Sequence, residues 1–250
     1  DPLGAYPPNA AAVHGIEQLA GHHGNEIGRY RELIGGEQAA NVAASELRLL
    51  DLLNVAYLLV PGPVELPGYT EVFRGPRTLV YRNERALPRA FLVGRVEVVP
   101  DDRAVARILS PDFDFRQVAA LPRPLPPGTR VEPEPRGSVH WLERQADRQR
   151  LRVSTDRPAL LVLTDNYYPA WQARLDGRPV PLLRANYAFR AVPIPTGEHL
   201  LELEYRSRVL QASAWCSAAV LLVLLGTVAA GVLRTGLGEG GAGKGGGGRA

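Results

Sequence analysis

The 250-residue sequence predicts an α+β chain in which a mixed α/β N-terminal region is followed by an antiparallel β-sandwich and then by one transmembrane helix. Three observations support this class. The hydrophobic fraction of 45% is sufficient for a core. The 22 prolines and 26 glycines favour many turns and short strands. One uncharged run, residues 209–233, has the length of a membrane span.

Residues 1–120 form the predicted mixed region. Residues 38–53 carry apolar side chains at helical spacing, and the VAYLLV stretch that follows them is typical of a strand. In PDDRAVARIL we expect Asp101 to cap a helix that turns its apolar residues inward. The stretches LVYRN and RAFLVGRVEVV predict strands on either side of a turn.

Residues 121–137, LPRPLPPGTRVEPEPRG, are polar and rich in proline, so they predict a linker between two soluble parts. Residues 138–207 then predict the β-sandwich, because short apolar stretches alternate with turn-forming breaks. Asp176 and Gly177 occupy the two turn positions of a predicted hairpin. In the last strand, period-two alternation places four side chains on one face: His199, Leu201, Leu203 and Tyr205.

Residues 209–233 predict the transmembrane helix, since the run is apolar on every face and exceeds the ~20 residues that cross a bilayer. The alternative is a buried core helix. Arginines 206 and 208 precede the run, and Arg234, Lys244 and Arg249 follow it. This charge distribution favours residues 1–207 outside the cytoplasm and a cytoplasmic tail. The tail, residues 234–250, is rich in glycine and predicts a flexible segment.

Composition argues against several functions. The net charge of +3, from 29 basic and 26 acidic residues, is spread along the chain and predicts no nucleic-acid partner. The single cysteine, Cys216, permits neither a disulfide framework nor a cysteine-based metal site. The adjacent His22 and His23, even with Glu26, form a poor chelating set, so no metal is predicted. No G-x-S-x-G motif occurs, and neither a catalytic residue nor a cofactor is predicted.

Residues 164–205 hold the candidate ligand-binding side chains. Aromatic rings beside arginine, asparagine and carboxylate groups are what a carbohydrate site requires. The alternative is that the aromatic residues Trp171, Phe189 and Tyr205 belong to the sandwich core, with Arg174 and Arg190 on the opposite, outward face. The candidate ligand residues are Tyr167, Tyr168, Arg174, Asp176, Arg184, Asn186 and Arg190.

Four motifs occur in a characteristic order: LLDLLNVAYLLV, VYRNERALPRAFLV, the stretch at residues 161–205, and the terminal apolar run. In that order they resemble the C-terminal portion of the bacterial YfhO-like family of multi-pass membrane proteins. Independently, the chain has no initiator methionine and opens in a stretch rich in proline and alanine, so it is interpreted as a fragment or processed product.

The resemblance implies a bacterial cell-membrane protein similar to glycosyltransferases that take a sugar from a polyprenyl-phosphate carrier and transfer it to cell-envelope polymers. It places the catalytic carboxylates upstream of this chain, so no catalytic residue is carried over. The implied partners are the lipid bilayer, an upstream transmembrane bundle of the same protein, and a polyprenyl-phosphate sugar or cell-wall glycopolymer. A second hypothesis is a membrane-anchored β-sandwich module that either binds a carbohydrate or polymer or is purely structural.

Overall fold

A computed structural model describes residues 10–19, 27–36 and 46–238. The chain divides into two compact units, Asp1–Tyr205 and Arg206–Ala250. The predicted α+β class is confirmed: the first unit combines helices with antiparallel sheets, and the second contains a long apolar helix. The residues considered for metal binding, His22, His23 and Glu26, lie outside the described residues.

The described helices are few. A 3₁₀ helix spans Ala10–His14, and the α-helices are α1 (Gly28–Leu33), α2 (Leu47–Leu52), α3 (Asp101–Leu109) and α4 (Arg208–Gly238). The strands are β1 (Tyr57–Val60), β2 (Tyr69–Arg74), β3 (Leu79–Asn83), β4 (Ala90–Val93), β5 (Arg95–Val98), β6 (Val118–Leu121), β7 (Gly137–Arg144), β8 (Arg148–Thr155), β9 (Ala159–Asn166), β10 (Trp171–Leu175), β11 (Arg178–Val180), β12 (Leu183–Ala185), β13 (Phe189–Ile194) and β14 (Gly197–Tyr205).

Two antiparallel sheets form the predicted sandwich. The five-stranded sheet has the order β11-β10-β14-β8-β7, and the four-stranded sheet has the order β12-β13-β9-β4. Side chains from both sheets meet in one apolar cluster, to which β8 contributes Leu151, β9 contributes Leu161 and β14 contributes Leu203. This is the arrangement of side chains that two packed sheets produce.

The four-stranded sheet is covered on both faces. Alternate residues of β9 point to opposite sides, so Leu161 and Leu163 join the inter-sheet cluster while Leu160 and Val162 join a second cluster. The second cluster packs this sheet against the β5-α3-β6 unit, whose two strands are parallel, and α3 contributes the fully buried Ile108. Five consecutive β9 residues, 159–163, are therefore fully buried.

The Pro-rich segment 121–137 runs within the first unit rather than between two domains. Strand β4, which precedes it, pairs with β9, which follows it, so both sides of the segment share one sheet. The segment is also fixed locally, since the Glu132 backbone N–H donates to the Pro158 carbonyl at 2.8 Å. Residues 1–205 accordingly form one compact unit.

Helix α3 begins as predicted, but Asp101 is not its cap. Pro100 occupies the N-cap position, and no side-chain cap hydrogen bond is present there. The Asp101 carboxylate is instead held by the guanidinium groups of Arg184 and Arg29. These charged donors compete successfully with the exposed backbone amides of the first turn because charge-assisted hydrogen bonds are stronger.

Helix α4 contains the predicted apolar run. Residues Ala212–Ala230 form a 19-residue window of mean hydropathy 2.0, none of it buried, so the alternative of a buried core helix is wrong. By length and composition this is the one candidate membrane span in the described part of the chain. The helix continues to Gly238, and residues 239–250 of the predicted tail lie outside the described residues.

Candidate functional site

The seven predicted ligand residues lie on different parts of the sandwich and do not form one pocket. Tyr167, Tyr168 and Arg174 belong to the β9–β10 turn and to β10, whereas Asp176 occupies the β10–β11 turn. The other three residues lie on or beside β12 and β13: Arg184, Asn186 and Arg190. Each group has a different environment.

A shallow open cleft of about 330 Å³ lies beside β10. The β9–β10 turn contributes Tyr167 and Pro169, and β10 contributes Trp171, Gln172 and Arg174. The turn is held in place by a hydrogen bond from the Tyr167 N–H to the Ala188 carbonyl at 2.7 Å. Further lining comes from the neighbouring strand β11 and the residues after it: Pro179, Val180 and Leu182.

Trp171 belongs both to the core and to the cleft. Its side chain is half-buried against the inter-sheet cluster and also lines the cleft. The Tyr205 ring meets it edge-on at 5.7 Å between centroids, and Tyr168 packs beside Tyr205 at 6.1 Å. Phe189 is fully buried, which confirms its predicted core position. The cleft lining therefore includes partly exposed aromatic surface and the exposed residues Gln172 and Arg174, which alternate with Trp171 along β10.

Asp176 fixes the predicted hairpin. It has a φ of 50° and is followed by Gly177 with a φ of 76°, the pair of positive values that a two-residue turn between Leu175 and Arg178 requires. Its carboxylate lies 2.7 Å from His199 Nδ1 and accepts a hydrogen bond from the Leu200 N–H at 2.8 Å. These contacts with His199 and Leu200 lower the pKa of Asp176 below its usual value. Asp176 does not line the cleft.

Asn186 and Arg184 hold the β12–β13 turn against neighbouring elements. Asn186 is fully buried, and its Oδ1 accepts a hydrogen bond from the Ala120 N–H of β6 at 2.9 Å. Arg184 donates to both Asp101 oxygens, at 2.7 and 2.9 Å. Burial raises the pKa of Asp101, but Arg184 and Arg29 outweigh this effect and lower it overall. A fully buried Asn186 cannot contact a ligand at the surface.

Arg190 is buried, and the prediction that it faces outward is wrong. Its side chain is 2% exposed, and Nη2 lies 3.0 Å from the Asp165 carboxylate. Strand alternation turns Phe189 and Arg190 to opposite sides, but both sides of this sheet are covered, so neither residue reaches solvent. Burial lowers the pKa of Arg190 to about 10 despite the favourable charge of Asp165, and at neutral pH the group remains charged.

Asp165, which was not among the predicted site residues, lies at the centre of a polar cluster. Its two carboxylate oxygens lie 2.7 Å from Arg89 Nη1, 3.0 Å from Arg190 Nη2 and 3.1 Å from Gln149 Nε2. One signal was available: this acid lies near the end of β9, two positions after the uninterrupted apolar run 159–163, which draws the strand into the interior. Its partners are distant in sequence, and no local pattern identifies them.

Within residues 10–19, 27–36 and 46–238 no group of three or more histidine, cysteine or acidic side chains is placed to hold a metal ion. Comparison with known proteins gives no match to any family model, any curated protein or any solved structure. The physical features of the cleft, the polar cluster and helix α4 therefore carry the functional argument.

Proposed function

We propose that this chain is the membrane-anchored, extracytoplasmic and non-catalytic C-terminal part of a YfhO-like bacterial membrane protein. In this proposal the parent protein transfers a sugar from a polyprenyl-phosphate carrier to a cell-envelope polymer. The β10 cleft holds a carbohydrate unit of the donor or of the polymer, while the chemistry takes place in the upstream membrane-spanning part. The order of the four sequence motifs supports the family, and helix α4 supports the anchor.

The observation that carries the binding function is the composition of the cleft. Trp171 and Tyr167 present aromatic surface, on which the C–H faces of a sugar ring pack favourably. Gln172 and Arg174, which also line the cleft and alternate with Trp171 along β10, are exposed and supply hydrogen-bond donors for hydroxyl groups. A volume of about 330 Å³ lies at the lower end of the range for ligand pockets and suits one or two sugar units.

Binding is tested with the full chain in lipid nanodiscs, using Trp171 as the reporter. Replacing Trp141 and Trp215 with phenylalanine leaves Trp171 as the sole tryptophan. A glycosylated glycerol-phosphate oligomer and a polyprenyl-phosphate hexose are titrated, with the unglycosylated oligomer and the sugar-free carrier as comparisons. We expect the Trp171 emission to change only with the sugar-bearing ligands.

Two variants locate the bound sugar. Arg174→Ala and Tyr167→Ala are expected to weaken binding at least tenfold, about 1.4 kcal/mol. Arg152→Ala is the matched control, because Arg152 lies two strands away on the same outer face of the five-stranded sheet. Equal affinity in Arg174→Ala and Arg152→Ala would remove the cleft from the proposal. Sugar transfer catalysed by the purified chain alone would contradict the non-catalytic assignment.

The proposed orientation is tested separately in intact cells. Cys216→Ser removes the native thiol, and Arg152→Cys then adds one thiol on the exposed face of β8. A membrane-impermeant maleimide should label this cysteine from outside, in agreement with the arginine distribution around helix α4. Labelling only after cell lysis would reverse the proposed orientation.

A purely structural module is the second candidate, and the contacts of four predicted residues favour it. Asp176, Arg184, Asn186 and Arg190 all bind other parts of the fold. In this case Tyr168→Ala and Arg190→Ala lower the yield of folded protein, and no sugar-bearing ligand changes the emission of Trp171.

A further inference from the structure

Two arginines from different sheets bind the same carboxylate at the surface. Arg89 directly precedes β4 of the four-stranded sheet, and Arg144 ends β7 of the five-stranded sheet. Arg144 Nη2 donates to Glu17 Oε1 at 2.5 Å, and Arg89 Nη2 donates to Glu17 Oε2. We call Arg89 and Arg144 the arginine fork.

The buried cluster around Asp165 fixes the position of the fork. Arg89 uses its second terminal nitrogen to bind Asp165 at 2.7 Å, which fixes the guanidinium that reaches Glu17. Arg190, 2% exposed, shares the same carboxylate, and its Nε and Nη1 atoms have no hydrogen-bond partner among the described residues. The fork is therefore linked through Asp165 to Arg190, a buried positive charge whose hydrogen-bond donors are only partly paired.

The charge count favours an anion at this position. Three guanidinium groups, Arg89, Arg144 and Arg190, face two carboxylates, Asp165 and Glu17. Without Glu17, three positive charges would face one negative charge. The two oxygens of a carboxylate or phosphate can each take one arginine of the fork, as those of Glu17 do.

Glu17 comes from a surface segment that buries little apolar surface. The neighbouring Val13 and Ile16 are 86% and 60% exposed, and the Glu17 side chain is itself 56% exposed. Its segment makes a further contact at Leu19, whose carbonyl accepts a hydrogen bond from Tyr30. Among the described residues 10–19 little apolar surface is buried, and such a segment opens at low free-energy cost.

We propose that the arginine fork binds a phosphate or carboxylate group of a ligand and that Glu17 is a resident competitor, which the ligand displaces. The ligand class, a phosphate-bearing glycopolymer or lipid, rests on the proposed function. The fork itself lies outside the β10 cleft, and the contacts that Glu17 makes with it do not depend on a sugar. In this proposal the fork binds the charged group of the ligand and the cleft binds its sugar.

Isothermal titration calorimetry on the full chain in phosphatidylcholine nanodiscs tests the fork. The probe is an unglycosylated glycerol-phosphate oligomer, which lacks the sugar that the cleft requires. Glu17→Gln removes the competing charge and is expected to raise the affinity at least tenfold. Adding Arg144→Ala to Glu17→Gln should abolish this gain, whereas adding Arg152→Ala should preserve it.

Two results overturn the proposal. The first is that Glu17→Gln binds the oligomer with an affinity within twofold of that of the parent chain. The second is that the gain in affinity from Glu17→Gln persists when Arg144→Ala is added. Arg144 is 37% exposed and does not contact Asp165, so its substitution tests the fork without removing the buried cluster. If the unglycosylated oligomer does not bind but the Trp171 emission still changes with sugar-bearing ligands, the fork proposal is contradicted and the cleft proposal is not.

A second arm of the experiment identifies the source of the phosphate. Nanodiscs containing phosphatidylglycerol present the same phosphodiester as a lipid headgroup. If these nanodiscs suppress oligomer binding to Glu17→Gln, the fork binds membrane phosphates. If they do not, the fork takes a polymer phosphate from solution. Both results support a phosphate site, and absence of binding in both arms overturns it.

Discussion

The guanidinium group of Arg190 lies over the ring of Trp171, with 4.2 Å between Cζ and the ring centroid. Strand β13 of one sheet is thereby joined to β10 of the other at the end of the sandwich where Asp165 also lies. A desolvated cation–π contact contributes ~2 kcal/mol. The residue expected on the surface is therefore one of the contacts that hold the two sheets together.

Replacing Arg190 with alanine should destabilise the fold by about 3 kcal/mol, since a buried ion pair loses one partner and the Trp171 ring loses its contact. Asp165 keeps Arg89 and Gln149, which places the effect at the lower end of the range for such changes. Denaturant unfolding in detergent, followed by circular dichroism, measures it. Arg152→Ala, an exposed control, should change the free energy of unfolding by less than ~0.5 kcal/mol. Similar values for both variants would contradict the structural role.

Gly94 allows a close backbone approach that no other residue permits. A Cβ atom at this position would lie 2.1 Å from the Glu132 carbonyl oxygen. Gly94→Ala must therefore displace the backbone of the segment 121–137, and we expect a loss of at least ~3 kcal/mol in the free energy of unfolding. Gly62→Ala is the control, because its Cβ would meet nothing within 4 Å. An equally stable Gly94→Ala chain would argue against the observed path of the segment.

The hairpin carboxylate makes stability sensitive to acid. Because His199 and the Leu200 amide lower the pKa of Asp176 in the folded state, the deprotonated form is favoured by folding. Its contribution is present above the unfolded-state value near 3.8 and is lost as the pH falls through the lower folded-state value. Asp176 is 52% exposed, so we expect at most ~1 kcal/mol.

The Asp176 prediction is measured as the difference in unfolding free energy between the parent chain and Asp176→Asn at pH 7 and pH 3. The difference should shrink at pH 3. Asp102→Asn, at an exposed aspartate of helix α3, supplies the control for general acid effects. A difference that grows on acidification would give the opposite sign and contradict the assignment.

The proposed membrane anchor predicts that the chain leaves the membrane when charge is placed at the centre of helix α4. An arginine at the centre of a span costs ~2.5–3.5 kcal/mol, so the double variant Leu222→Arg/Leu225→Arg should be extracted from membranes by carbonate. Val209→Arg places one arginine at the start of the helix, beside Arg208, where the new side chain can reach the interface, and this variant should remain in the membrane pellet. Retention of the double variant in the pellet would show that another part of the chain anchors it.

Local sequence patterns predicted those elements whose causes are local. The Asp176-Gly177 turn was identified from residue type alone, because both positions require positive φ. The alternation of Leu201 and Leu203 predicted the buried face of β14, and both are fully buried. The apolar run of helix α4 was predicted for the same reason, since its length and composition need no partner to be recognised.

The candidate site was predicted less well, because its environment depends on distant partners. Arg190 was assigned to a solvent face, but its side chain lies between the two sheets, over Trp171, and the β5-α3-β6 unit covers the opposite face of its sheet. The uninterrupted apolar run of β9 was the available signal for a strand buried on both faces. The pairing of Arg89 and Arg144 with Glu17 joins parts of the chain that no periodicity connects.

The pairing of β4 with β9 has a consequence for the order of folding. Ala90 finds its partner at Leu163, and β9 must also receive β13, whose last residue is Ile194. The chain loop between β4 and β9 must close before either apolar cluster can form, and contacts of such sequence separation slow folding. During synthesis residues 90–93 therefore have no strand partner until residues 159–166 emerge, and β9 keeps one edge unpaired until residues 189–194 follow. The stretch most exposed to wrong strand pairing in that interval is residues 90–93.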